Sequence, residues 1–251
     1  MLTVEQVEKS YRTGGLFSRE RRQVLTGISF EWKQGECLGI IGESGSGKST
    51  LGRLLLGIEK PDRGAIIWEG ERAHNRRARS GNLSAVFQDY TSSIHPFYTV
   101  EKALMEPWLL QKKRQGKLRD EYNCKIDVLL HQVGLDPSYR TKYPHELSGG
   151  EAQRVCIARA VSTEPRCILL DEAVSSLDGS VQLQVLDLLK SLKALYNVGY
   201  IFITHDLQAA AYICDRIMII RDGRIEEIVP IGQLKDVQSP YARKLLRMVL
   251  A

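Results

Sequence analysis

At 251 residues, 43% of them hydrophobic, 26% charged and 7% aromatic, the chain has the make-up of a folded globular protein, which excludes a disordered or collagen-like one. That length suits one large α/β domain, or a core with one sizeable insertion, and leaves no room for two full catalytic domains. Lys and Arg number 35 against 30 Asp and Glu, and the net charge of +5 is too small and dispersed to mark a nucleic-acid binder.

The basic stretches at 19–22, 72–79 and 112–119 therefore read as solvated surface. No run approaches the roughly 20 apolar residues of a membrane helix, and the start, Met1 to Glu8, lacks a basic-then-apolar leader. The expectation is a cytosolic chain that does not itself cross a bilayer. Five cysteines, odd in number and without C-x-x-C spacing, read as buried free thiols in a reducing compartment.

In chain order, Ile28 to Trp32 alternates, Lys33-Gln34-Gly35 turns, and Glu36 to Ile41 resumes, a strand, turn and strand. The second strand runs into Gly42-Glu43-Ser44-Gly45-Ser46-Gly47, followed by an apolar-rich helix from Lys48 to Leu56 that Gly57 closes. Strands are expected at 65–68 and 83–87. Residues 102–111 and 121–133 fit helical periods, and about 89–163 reads as a mostly helical insertion. Short apolar strands return at 167–170 and 200–203, separated by a helix at 181–195. Asp222-Gly223 then marks a hairpin, because both residues suit a tight primed turn.

Three features carry chemistry. Gly42-x4-Gly47-Lys48-Ser49 matches the phosphate-binding loop, in which Gly42, Ser44, Gly45 and Gly47 let backbone N–H groups close around phosphate oxygens at a helix N-terminus. Lys48 would neutralise phosphate charge, Ser49 offers a hydroxyl to Mg²⁺, and Thr50 adds a polar contact. Four apolar residues then end in Asp171-Glu172, placing two acids at the C-terminal edge of a buried strand, where ligands bind in α/β sheets. As a bare dipeptide this is a helix start. After a phosphate loop, Asp171 fits a Mg²⁺ ligand and Glu172 a general base for water. Finally, Leu147-Ser148-Gly149-Gly150-Glu151 has capping-box spacing, yet its glycines also give an anion close access to a positive helix end.

The ordered set of phosphate loop, LSGGE, LLDE and a later histidine resembles the ATP-binding cassette (ABC) ATPases over nearly the whole chain. The resemblance implies a P-loop NTPase fold, RecA-like, as one ABC nucleotide-binding domain over 1–251. Its core would comprise 1–88 and 164–251, with an N-terminal antiparallel β subdomain and a helical subdomain at 89–163 bearing the signature. It also implies ATP and Mg²⁺ as cofactors, and that Ser148, Gly149 and Gly150 serve ATP held by a partner subunit. By the same resemblance Tyr11 stacks on adenine, Gln88 reaches Mg²⁺ and the attacking water, Asp178 couples two sites across a dimer, and His205 contacts the γ-phosphate.

A repair ATPase of this type would carry long coiled coils between loop and signature, and translation factors carry two cassettes. Neither fits, and no nucleic-acid partner is expected. The stretch Gly42 to Gly57, with Phe87-Gln88-Asp89, Ser92-Ser93-Ile94-His95-Pro96 and Ser239 to Leu246, is similar to the peptide and nickel importer branch. Within it, Asp171-Glu172-Ala173-Val174-Ser175-Ser176-Leu177-Asp178 resembles nickel-type more than oligopeptide ATPases. What this implies is uptake of nickel, a metal chelate or peptides, by a peripheral subunit at the cytoplasmic face of the cell membrane. Its partners would be a second ABC ATPase subunit, identical or different, two integral-membrane permeases and an extracytoplasmic substrate-binding protein. The alternatives are an ABC ATPase of a different transporter or a non-transport, nucleic-acid-associated one.

Overall fold

β1 (Leu2–Arg12) pairs antiparallel with β2 (Arg21–Trp32) on one side and with β4 (Arg63–Trp68) on the other, and β5 (Glu71–Arg72) extends the sheet to the order β2-β1-β4-β5. The computed structural model describes residues 1–13, 20–75, 79, 81–89, 93–111, 119–175 and 177–250. β1 carries no clean alternation because it is bulged. Leu2 and Val4 are buried in step, but Gln6 takes φ +44 and the pairing with β2 jumps from Val4 to Val7, so that Val7 and Ser10 are the next buried positions.

The chain forms two compact units, Met1–Arg79 with Gly199–Ala251, and Ser80–Val198. The first also holds β3 (Cys37–Ile41), flanked in parallel by β8 (Gly199–Thr204) and β9 (Arg216–Arg221), with β10 (Arg224–Pro230) antiparallel to β9. β3 and β8 are buried at every position, which is why they read as unbroken apolar runs. α1 (Lys48–Leu55) leaves the end of β3, α6 (Leu207–Ile213) follows β8, and α7 (Pro240–Leu250) ends the chain. Trp32 and Trp68 meet edge-to-face at 5.6 Å in the core, their indole N–H groups donating to the carbonyls of Glu36, Tyr200 and Leu55.

The β9–β10 turn has Asp222 at φ +47 and Gly223 at φ +74, the left-handed pair of a primed turn. Gly223 N–H donates to Ser46 O at 3.1 Å and its carbonyl accepts from Thr26 N–H at 2.8 Å, while a Cβ there would stand 2.1 Å from Val24 O. Only glycine fits so close an approach.

The second unit pairs β6 (Leu83–Phe87) in parallel with β7 (Cys167–Asp171) and packs helices α2 (Val100–Gln111), α3 (Arg119–Gln132), α4 (Gly149–Val161) and α5 (Gly179–Tyr196). Arg140, on a short 3₁₀ turn, binds Glu101 of α2 and Asp127 of α3, each at 3.0 Å, and fixes these helices together. Trp108 of α2 donates to Ser162 O at 2.6 Å just beyond α4. Four cysteines are buried as expected; Cys124 is exposed on α3. Of the basic stretches, Arg19, Arg76, Arg77 and 112–118 lie outside the described residues, as do Ser92 and Ser176 of the importer-like stretches.

Candidate functional site

In the first unit the sheet itself sets the site's position. Ile41, the last residue of β3, pairs with Thr204, the last of β8, so Gly42 and His205 emerge side by side at the C-terminal edge of parallel strands. His205 is exposed between the buried Thr204 and the half-buried Asp206, which caps α6 by accepting from the Gln208 and Ala209 N–H groups. From Gly42 the chain turns through the exposed Glu43, Ser44 and Gly45 and back into the buried Ser46, Gly47 and Lys48.

A side chain at position 42 would place its Cβ 2.1 Å from the Ile220 carbonyl oxygen, so glycine is required for the loop to lie against β9. Lys48 is 5% exposed, and its Nζ donates to Gly42 O at 2.7 Å and Glu43 O at 2.9 Å, drawing the loop into a ring around its ammonium. Glu43 N–H donates to the Tyr241 hydroxyl of α7 at 3.3 Å, so the loop is held from outside as well. α1 begins behind Gly47 without a capping side chain, leaving the positive end of its dipole unmasked for an anion. Ser46 Oγ is buried with no hydrogen-bond partner among the described residues. An orphaned hydroxyl within a glycine cradle at a helix start fits a bound phosphate, which makes Ser46 a candidate site residue beyond those that the motif spacing names.

Ser49 is half-buried at the first turn of α1, and Thr50 is buried, its hydroxyl accepting from Arg53 at 3.2 Å. Tyr11 is half-buried on β1, and its hydroxyl donates to Glu59 at 2.6 Å.

The second unit repeats the strand-edge logic. Phe87 of β6 pairs with Asp171 of β7, so Gln88, exposed, and Glu172, half-buried, follow adjacent strand ends. Glu172 sits at φ +50, a left-handed conformation that costs a non-glycine residue energy and concentrates at functional sites. Its carbonyl accepts from both the N–H, at 3.2 Å, and the hydroxyl, at 2.8 Å, of Ser175, which holds the turn.

Ser148 caps α4 in a reciprocal box: its hydroxyl accepts from Glu151 N–H at 3.4 Å and its own N–H donates to Glu151 Oε2 at 2.7 Å. Asp178 caps α5, accepting from Val181 N–H at 3.0 Å and Ser180 Oγ at 2.8 Å, contacts that hold its carboxyl below the ordinary range. A Cβ on Gly150 would lie 2.9 Å from Val181 Cγ1, so Ser148, Gly149, Gly150 and Asp178 gather at two neighbouring helix starts.

The Tyr139 hydroxyl donates to Glu151, and with the Ser148 N–H and hydroxyl it lowers the Glu151 carboxyl from 4.5 to about 2. A depressed pKa contributes stability that is complete above 4.5 and is lost as pH falls through about 2. The Glu151 carboxyl resonance should therefore titrate near 2 by NMR, and in Tyr139→Phe its midpoint should move up towards 4.5. An unmoved midpoint would remove Tyr139 from the cap.

A family model described as ABC transporter matches residues 25–175. The chain is 47% identical over 251 residues, all of both chains, to the metal-staphylopine import system ATP-binding protein CntF of Staphylococcus aureus (strain NCTC 8325 / PS 47). It is 40% identical to the nickel import ATP-binding protein NikE of Rhodospirillum rubrum, covering all of this chain and 91% of that one. To the oligopeptide transport ATP-binding protein AppF of Bacillus subtilis (strain 168) it is 39% identical, over 99% of this chain and 78% of that one. Among solved structures, a dimeric ATP-binding cassette in a post-hydrolysis state bound to ADP and Pi superposes with a TM-score of 0.82 at 27% identity, over 92% of this chain and 99% of that one.

Proposed function

This chain belongs to the ABC transporter family, and from that premise we propose that it energises the uptake of a metal ion carried as a chelate, nickel included. It is a P-loop ATPase whose hydrolysis drives transport, in the importer branch that serves nickel, metal chelates and oligopeptides. The observation that carries the cargo reading is 47% identity over the full length of a metal-staphylopine importer subunit, against 39% for an oligopeptide one whose chain this sequence covers to 78%. The loop that Lys48 braces through Gly42 O and Glu43 O, with the orphaned Ser46 hydroxyl, supports a bound triphosphate.

In this reading Lys48 and the α1 N-terminus hold the β- and γ-phosphates, Tyr11 stacks on the base, and Ser49, Gln88 and Asp171 are the residues that would hold Mg²⁺. When bound, the metal would supply positive charge to neutralise the triphosphate. Glu172 accepts the proton of the attacking water, and His205 holds the γ-phosphate in line. Ser148, Gly149 and Gly150 face ATP on a second ATPase subunit, and Asp178 links the two sites. The division of the chain into a core, 1–88 with 164–251, and a signature-bearing helical segment, 89–163, is part of this proposal.

Two integral-membrane permeases and an extracytoplasmic binding protein complete the assembly, with this chain at the cytoplasmic face. Among the described residues no helix is long and apolar enough to cross a membrane.

Deleting the gene should abolish accumulation of radiolabelled nickel supplied with a chelator, and the intact gene should restore it. Retained nickel uptake with lost growth on oligopeptides would reassign the cargo. Ser148→Arg should fail to restore uptake, by at least about tenfold, because a long cation replaces a cap worth only about 1 kcal/mol to the fold. Full restoration would remove the signature from a shared site.

A further inference from the structure

The segment that follows α1 is fastened to β1 by one backbone hydrogen bond and by several that involve side chains. Asp62 N–H donates to Glu8 O at 2.8 Å, the Asp62 carboxylate accepts from Ser10 N–H at 2.8 Å and Ser10 Oγ at 2.6 Å, and Lys9 Nζ donates to Lys60 O at 2.8 Å. At its centre is Glu59. One carboxylate oxygen accepts from the Tyr11 hydroxyl at 2.6 Å and lies 3.2 Å from Lys9 Nζ; the other accepts from Arg53 Nε at 2.7 Å. The Arg53 guanidinium reaches further, to the Tyr11 hydroxyl at 3.4 Å and to Thr50 Oγ1 at 3.2 Å.

Two consequences follow from the chemistry. Tyr11 is held by its hydroxyl, at the far end of the ring from the backbone, so the direction of the ring's long axis is set by Glu59 and Arg53 as well as by β1. Arg53 lies on the helix that starts at Lys48, and Thr50 belongs to its first turn, so the tether joins the ring to the helix that begins at the phosphate loop. Charge-assisted bonds of this kind are stronger and more directional than neutral ones. Glu59 is kept ionised: burial opposes its charge, but the hydrogen bonds from Tyr11, Arg53 and Lys9 outweigh it and lower its pKa.

We propose that Glu59 and Arg53 are positioning residues for nucleotide binding, which orient the Tyr11 ring for the adenine base and couple that orientation to the helix at the phosphate loop. This rests on the reading of Tyr11 as the base-stacking residue. A plain tyrosine on a strand needs no such tether: core packing would hold the ring, and the hydroxyl could bind water.

Equilibrium titration of the parent protein with ATP and with tripolyphosphate, which lacks the base, tests the idea. Tyr11→Phe keeps the ring but cuts the tether, and Glu59→Gln keeps the shape but removes the charge. Each should weaken ATP by about three- to tenfold, the scale of one net hydrogen bond, with tripolyphosphate affinity unchanged and the protein still folded at the assay temperature. The double variant should be little worse than either single one, since both cut the same link.

Should Tyr11→Ala weaken ATP while Tyr11→Phe and Glu59→Gln bind it like the parent, the tether is a packing detail and the proposal falls alone. Should Tyr11→Ala itself leave ATP affinity unchanged, the stacking reading falls and takes the tether with it. Parallel loss of ATP and tripolyphosphate affinity in Glu59→Gln would mean a damaged loop rather than an oriented ring, and would also overturn the proposal.

Discussion

Glu172→Gln is expected to retain ATP while losing turnover by about a hundredfold or more, the range in which a general base contributes. The substitution is nearly isosteric. The strained φ of +50 and the carbonyl that accepts both bonds from Ser175 belong to the backbone and survive it. What disappears is the ability to take a proton from water. Phosphate release by the reconstituted transporter, measured beside equilibrium ATP binding, separates the two effects. Turnover within about twofold of the parent at equal binding would strip Glu172 of the role, since so small a change is far below a general base's contribution.

Lys48→Ala should act one step earlier, on binding. The ammonium is buried and spans Gly42 O and Glu43 O, so the change removes both the cation proposed to meet the phosphates and the brace that closes the loop. Hydrogen bonds to a charged group are worth about 1.5–3 kcal/mol, which corresponds to roughly ten- to a hundredfold in affinity. Titration with a fluorescent ATP analogue reads this directly. Parent-like affinity would mean that the loop's backbone and helix dipole hold the nucleotide without the lysine.

What could be read from the sequence was whatever is local along the chain. The phosphate loop, the Ser148-to-Glu151 cap and the Asp222-Gly223 turn each reside in fewer than ten consecutive residues, and their geometry follows from residue type and spacing. Fully buried strands such as β3 and β8 were visible for the same reason, as unbroken apolar runs.

β1 was not delineated because its bulge at Gln6 disturbs the period that announces a strand. The tether of Tyr11 was invisible: Glu59 is 48 positions away, and its charge taken singly looks like any surface carboxylate. Ser46 was passed over because the motif names glycines, lysine and the following hydroxyl, and only burial reveals that its Oγ lacks a partner. Asp178 could be read either as a cap or as a site residue, and the structure shows the cap. One oxygen of its carboxylate serves the helix, which does not compete with a second duty for the other.

The contact of Gly223 with Ser46 and Thr26 carries a consequence for evolution and for engineering. A hairpin tip is ordinarily where insertions, tags and circular-permutation points are accepted. Here the tip is a strut, so lengthening it by even one residue would pull a donor away from the glycine-rich loop at Ser46 and an acceptor away from β2. Homologous chains should therefore vary in length almost anywhere on their surface before they vary at this two-residue bend.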